Sequence, residues 1–247
     1  MSKLSDRIRK VTRLQPAPLG FGAARSAPEP TMLLAGLAKD AQTAAELRRR
    51  GADVVIVGSP DRAAPREPLA LDGAVVGAGI AGRDDDESKA YREASYDFVV
   101  FDLNKASATA LLDEDVGYVA VLPHDLSDSE LRTLESFGLD ALDIGQVSGA
   151  LTARRLIDLR RIYAMTRKPL MARVEGNISG PMLQALRDAN VVIVAAERPD
   201  DVERLRKAID ALPPRSRGKA EERPTPLVPR ATTAGEDHEH DDDDGDD

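Results

Sequence analysis

The chain has 247 residues, 42% hydrophobic and 31% charged, with no cysteine, no tryptophan and a formal charge of −9. The lack of cysteine excludes disulfide scaffolds, cysteine-ligated zinc and thiol catalysis, and only four Tyr and four Phe leave the core to Val, Ile, Leu and Ala. Nine of the 43 acids fall in residues 236–247, leaving 34 acids against 34 Lys and Arg, so the body gives no electrostatic case for binding nucleic acid.

At the start of the chain, Leu4, Ile8 and Val11 recur at helical spacing, with Arg7, Arg9 and Lys10 between them. So small an apolar stripe is poor for a membrane surface, and the expected role of this helix is to cap a larger body. Residues 1–30 form a basic segment ending in a Pro/Gly/Ala stretch over 15–30. No apolar run reaches the length of about 18 residues that a span needs, and no apolar leader is present. Neither a membrane span nor secretion is expected, and the expected location is the cytoplasm.

Residues 31–212 carry short apolar runs at 31–38, 53–58, 74–79, 97–103, 117–122, 141–145, 169–174 and 191–196, each of strand length. Helical patterning lies between most of them, at 41–50, 127–137, 151–165, 181–189 and 200–212. Pro60, Pro65 and Pro68 leave little room for a helix after the second run. From Pro213 the composition turns to Pro, Arg and Thr and then to acid, which cannot bury enough apolar surface to offset its ordering entropy. Residues 213–247 are therefore expected to be a disordered, solubilising tail. His238, His240 and their acidic neighbours would hold cations weakly, and contact with a basic partner is the alternative role.

The even-numbered runs open alike, on the polar residues Asp53, Asp97, Asp140 and Asn190, which are 44, 43 and 50 residues apart. A unit of that length holds two strand–helix pairs, and four units make eight. Strands apolar on both faces and alternating with helices imply a parallel sheet, and eight imply a closed (β/α)8 TIM barrel built from four (βα)2-like repeats. An open doubly wound sheet would carry a Gly-rich phosphate turn after its first strand, which Gly36, Leu37, Ala38, Lys39 and Asp40 do not supply. The polar openers sit at strand starts, away from the expected catalytic face, and are assigned to structure.

Chemistry in such a barrel gathers at the strand C-termini. These ends deliver Lys39 from the first strand, Gly58 and Ser59 from the second, Asp102 from the fourth, and His124 from the fifth. The seventh delivers Arg173, Glu175 and Asn177, and the eighth Glu197 and Arg198. His124 is the one histidine outside the tail. Asp102, His124 and Glu175 could share acid–base work or hold a divalent metal, Mg²⁺ or Mn²⁺ for the oxygen ligands and Zn²⁺ with His124. Lys39 could stabilise charge or form a Schiff base. Asp143 could point into the barrel, where a carboxylate needs a partner such as Arg173.

After the seventh strand, Gly176, Asn177, Ile178, Ser179, Gly180 and Pro181 lead from loop to helix, leaving amides accessible to an anion. Here the chain resembles the phosphate-binding barrel enzymes, a set spanning ribulose-phosphate epimerases, indole-glycerol-phosphate synthases and histidine-biosynthesis isomerases. The resemblance covers residues 168–212 and rests on Gly176 and the Ile178–Ser179 step. It departs at the eighth strand, where Ala195, Ala196 and Glu197 stand in place of a Gly-Ser or Gly-Thr pair. It implies a phosphate held by Gly176, Asn177, Ser179 and Gly180. The expected function is that of a lyase or isomerase acting on a small anionic or phosphorylated metabolite, with Lys39, Asp102, His124 and Glu175 as the catalytic set. The alternative is a non-catalytic barrel that serves as a scaffold through its charged termini.

Overall fold

Eight parallel strands follow one another around the molecule: β1 (Leu33–Ala38), β2 (Val54–Val57), β3 (Val75–Gly79), β4 (Phe98–Asp102), β5 (Gly117–Val121), β6 (Ala141–Val147), β7 (Leu170–Val174) and β8 (Val191–Ala196). The last pairs back to the first, Leu33 opposite Ile193 and Ala35 opposite Ala195, so the sheet closes into a barrel. The computed structural model describes residues 2–12, 30–69, 71–82, 86–111, 113 and 115–214, and most of the 213–247 tail lies outside them.

The strands are apolar throughout because both faces are covered. Alternate residues such as Leu33, Val54, Val75, Phe98, Val119 and Met171 point inward and fill the barrel. Their neighbours, among them Leu34, Val55, Val76, Val99, Leu142 and Val194, pack outward under the helices. Phe98 takes up interior space that β3 leaves: Gly77 has no side chain, and a Cβ there would collide with the Phe98 ring. One bulky ring thus fills the space of two positions, which keeps the interior at the density that folded cores require.

The outer layer consists of α2 (Ala41–Arg49), α3 (Glu87–Glu93), α4 (Asp128–Thr133), α5 (Ala153–Thr166), α6 (Gly180–Asp188) and α7 (Pro199–Asp210). Asp40, Ser127, Thr152 and Ser179 each accept a backbone amide at a helix start, and Ser127 completes a capping box with Glu130. A 3₁₀ turn at Ala108–Leu111 replaces the helix between β4 and β5. Among the described residues the β2–β3 link has no helix, as its prolines require. Instead Ser59 and Arg62 exchange backbone hydrogen bonds of 2.8 and 3.0 Å, turning this link back over the strand ends.

The helix α1 (Lys3–Thr12) lies against the N-terminal ends of the strands. Leu4, Ile8 and Val11 are buried in the same cluster as the inward-facing strand residues. Its polar side binds strand starts: Lys3 pairs with Asp97 at 2.6 Å, Arg7 donates to the Gly73 carbonyl at 3.1 Å, and the Ser2 hydroxyl donates to Asp140.

The three aspartate openers act alike. Asp53 donates its amide to the Leu34 carbonyl and accepts the Leu34 amide on its side chain at 3.0 Å, and Asp97 treats Val76 the same way at 2.9 Å. Asp140 repeats the pattern on Tyr118. Each carboxylate thus ties an even strand to the odd strand before it. Burial pushes the Asp140 carboxyl above its ordinary value, against the lowering effect of Ser2 and Lys168. Asn190, the fourth opener, instead adopts left-handed backbone with φ 65°, a conformation asparagine tolerates better than most residues.

Candidate functional site

A cavity of about 430 Å³ opens at the C-terminal end of the barrel, within the size range of small-molecule sites. Its walls are Leu37, Ile56, Val100 and Met171, residues of the barrel interior or packed against it. Its rim carries Lys39 from the β1 end, Arg62 from the β2–β3 link, and Glu197 and Arg198 from the β8 end, all exposed. Asp143 and Arg173 also line it. These six side chains amount to four cations against two carboxylates.

Strand alternation explains why Asp143 and Arg173 meet. Each follows an inward-facing residue, Ala141 or Met171, by two positions, so both point into the barrel from adjacent strands. Arg173 donates to Asp143 at 3.0 Å, the Asp143 side chain is fully buried, and that of Arg173 is 34% exposed. The second Asp143 oxygen accepts the Gly145 amide at 2.9 Å. Gly145 has φ 76°, so a left-handed turn brings its N–H back onto the carboxylate. The Arg173 Nε is buried and has no hydrogen-bond partner among the described residues.

The residues singled out in the sequence are dispersed. Lys39 lines the cavity. Asp102, at the end of β4, bends back on its own loop: it accepts the Asn104 amide at 2.9 Å and pairs with Lys105 at 3.3 Å. Lys105 also binds Asp61 at 2.7 Å, which lowers the Asp61 carboxyl and raises the Lys105 amine, and ties the β2–β3 link to the β4 loop. His124 is exposed in the turn before the Ser127 cap, and Glu175 is exposed beyond β7. Neither they nor Asp102 line this cavity.

Among the described residues, no group of three or more His, Asp or Glu side chains could hold a metal ion. Asp102, His124 and Glu175, expected to share acid–base work or to hold a divalent metal, do not form such a group. The three come from separate strand ends, and Asp102 is engaged with Lys105 and its own backbone.

At the β7–α6 turn, Ser179 caps α6 by accepting the Met182 amide at 3.4 Å, while Asn177 and Gly180 are exposed. The carboxylate of Asp201, in the first turn of α7, lies against Gly176, so an anion at this turn would meet like charge. Arg62 is the residue that sequence reasoning missed. It lies in a proline-rich link without periodicity, and only the turn residues Gly58, Ser59 and Pro60 hinted that the chain doubles back there.

The closed parallel barrel of eight strands with helices outside it makes this chain a (β/α)8, or TIM, barrel. No protein-family model matches it, and no curated protein matches it. Several solved barrels are similar in structure. KGPDC from Streptococcus mutans superposes with a TM-score of 0.57 at 13% identity, covering 72% of this chain and 97% of its own. The 3-keto-L-gulonate-6-phosphate decarboxylase of Vibrio cholerae gives 0.55 at 14%, covering 76% and 100%. The phosphoribosyl anthranilate isomerase of Thermus thermophilus gives 0.51 at 12%, covering 72% and 98%. At these identities the likeness is one of fold. No helix among the described residues is long and apolar enough to cross a membrane.

Proposed function

We propose that this barrel is an enzyme, a lyase or isomerase, that binds a small anionic or phosphorylated metabolite in the cavity at its mouth. The observation that carries the reading is the composition of that cavity: four cations and two carboxylates around apolar walls, at the strand ends. Positive rim charge attracts an anion, and a partly enclosed site strengthens each polar contact made inside it. Lys39 is placed to neutralise charge that develops on the ligand. Glu197, the exposed carboxylate of the rim, is placed to exchange a proton with it. Two of the similar barrels are named for phosphorylated compounds, which agrees with that ligand class.

The test is thermal unfolding of the full chain with phosphate, sugar phosphates, small carboxylic acids, Mg²⁺, Mn²⁺ and Zn²⁺. A ligand at one hundred times its dissociation constant adds about 2.7 kcal/mol, or roughly 5–10 °C for a domain of this size. An anion should give that shift, and replacing Arg62 and Arg198 with Ala should abolish it. The scaffold reading is favoured by one feature, the Asp143–Arg173 pair that fills part of the mouth. A panel with no shift would favour it over the enzyme.

A further inference from the structure

Arg62 reaches the mouth from a link that has no helix to carry it, so its place depends on how that link is held. Among the described residues its hydrogen bonds are all made by its backbone. The amide donates to the Ser59 carbonyl at 3.0 Å and to the Ser59 hydroxyl at 3.2 Å, and the carbonyl accepts the Ser59 amide at 2.8 Å. These bonds fix the shape of the turn but not where it sits.

The base of the link is fastened to the barrel. Ala64 donates its amide to the Gly79 carbonyl at the end of β3, at 2.9 Å, and its own carbonyl accepts the Tyr91 hydroxyl at 2.6 Å. The Pro65 carbonyl accepts the Tyr96 hydroxyl at 3.0 Å. Pro60 and Asp61, at the tip, are held differently. Among the described residues the Asp61 carboxylate has one partner, the Lys105 Nζ at 2.7 Å. The same Nζ lies 3.3 Å from Asp102 at the end of β4, and Asp102 also accepts the Asn104 amide at 2.9 Å. One ammonium therefore joins the tip of the link to a strand end.

Resting on the reading of the mouth as an anion site, we infer that Lys105 is a positioning residue: it clips Asp61 to Asp102 and so keeps Arg62 at the mouth. Asp102 is the anchor of the clip on the barrel side. None of the three lines the cavity, so none touches the ligand. A site populated in its competent arrangement for only part of the time binds more weakly by that fraction. Loosening the clip thus lowers anion affinity while the cavity residues stay unchanged.

Action as a clip and action by charge alone predict opposite signs for Asp61. By charge alone, removing a carboxylate near the mouth strengthens anion binding. As part of the clip, its removal weakens binding. Titration calorimetry of the full chain with inorganic phosphate, at low ionic strength so that exposed charges are little screened, separates the two. Asp61→Asn and Lys105→Met should each weaken phosphate about two- to five-fold, the range that an exposed ion pair supports. Lys105→Arg keeps the cation and should bind phosphate as the unaltered chain does. On an Arg62→Ala background, Asp61→Asn should no longer weaken phosphate, since the clip acts through Arg62.

Unchanged or tighter binding in Asp61→Asn would overturn the clip, and if Arg62→Ala still weakens phosphate the mouth reading stands. A loss from Asp61→Asn that persists without Arg62 would overturn it too. If phosphate does not bind the unaltered chain, or binds equally well to Arg62→Ala, the mouth reading falls and the clip falls with it. The Asp61 and Lys105 side chains are 80% and 49% exposed, so neither replacement should unfold the chain. A fall in melting temperature of more than about 5 °C in either one would make the pair a structural support and overturn the assignment.

Discussion

Truncating Leu4 tests whether α1 is an integral part of the barrel. The side chain is fully buried and belongs to the cluster that fills the barrel interior, together with Ile8 and Val11. Leu4→Ala removes three carbon atoms, worth about 2.4 kcal/mol at roughly 0.8 kcal/mol per buried methylene. The unfilled space adds a cavity term, bringing the expected loss to about 3–4 kcal/mol. For a domain of this length that is a fall of roughly 6–16 °C, at about 2–4 °C per kcal/mol. Thermal unfolding followed by circular dichroism measures it, with Lys3→Ala as the comparison. Lys3 lies on the same helix, but its ion pair with Asp97 is made by a side chain 74% exposed, so its removal should cost well under the Leu4 loss. A Leu4→Ala shift of less than about 2 °C would refute the reasoning, because it would mean that α1 contributes no buried surface in solution.

Four further outcomes follow from particular contacts. Arg173→Ala leaves the buried Asp143 carboxylate without its cation and should cost about 3–5 kcal/mol in urea unfolding, whereas the joint Asp143→Leu and Arg173→Met replacement should be far milder. Gly77→Ala drives a Cβ into the Phe98 ring, an overpacking cost of about 1–3 kcal/mol. Phe98→Leu on that background should recover part of the loss in a double-mutant cycle. Burial raises the Asp140 carboxyl in the folded chain, so the folded state binds more protons between the ordinary carboxylate value and the raised one. Stability then falls as pH rises through that window. Asp140→Asn, which can still accept the Tyr118 amide, should therefore gain in melting temperature relative to the unaltered chain as pH rises from 4 to 7, and a constant difference would contradict this. His124 is exposed and does not line the cavity, so His124→Ala should retain the anion-induced melting shift that the Arg62 and Arg198 replacements lose.

The strands were legible because apolar runs bounded by polar residues carry their own signal. The run at 191–196 matches β8, and 74–79 begins one residue before β3. The helix expected over 127–137 is α4 (Asp128–Thr133) followed by a 3₁₀ turn at Leu134–Ser136. Ser127 and Ser179, both open to reading as caps, do cap their helices. The short α3 (Glu87–Glu93) was not anticipated, since seven residues give too little periodicity to read.

The site was less legible. Lys39 and the pairing of Asp143 with Arg173 were both within reach of strand-end reasoning, and the cavity contains all three. Asp102, His124 and Glu175 also end strands, but position along a strand does not say which way a side chain turns once the strand has ended. Asp102 turned to Lys105, and His124 and Glu175 turned to solvent.

What the chain alone determined is its local grammar: eight apolar strands, capped helices, a repeat opened by Asp53, Asp97 and Asp140, and a charge imbalance confined to its acidic end. These are properties of neighbouring residues, set by burial, backbone hydrogen bonding and periodicity over a few positions. Tertiary structure decided the facing of each strand and the course of each loop. Closure of the barrel turned Asp143 toward Arg173, thirty positions away, and the doubled-back link brought Arg62 to the same mouth. Such meetings depend on strand parity and on the sum of many packing contacts, quantities that exist only once the chain has closed on itself.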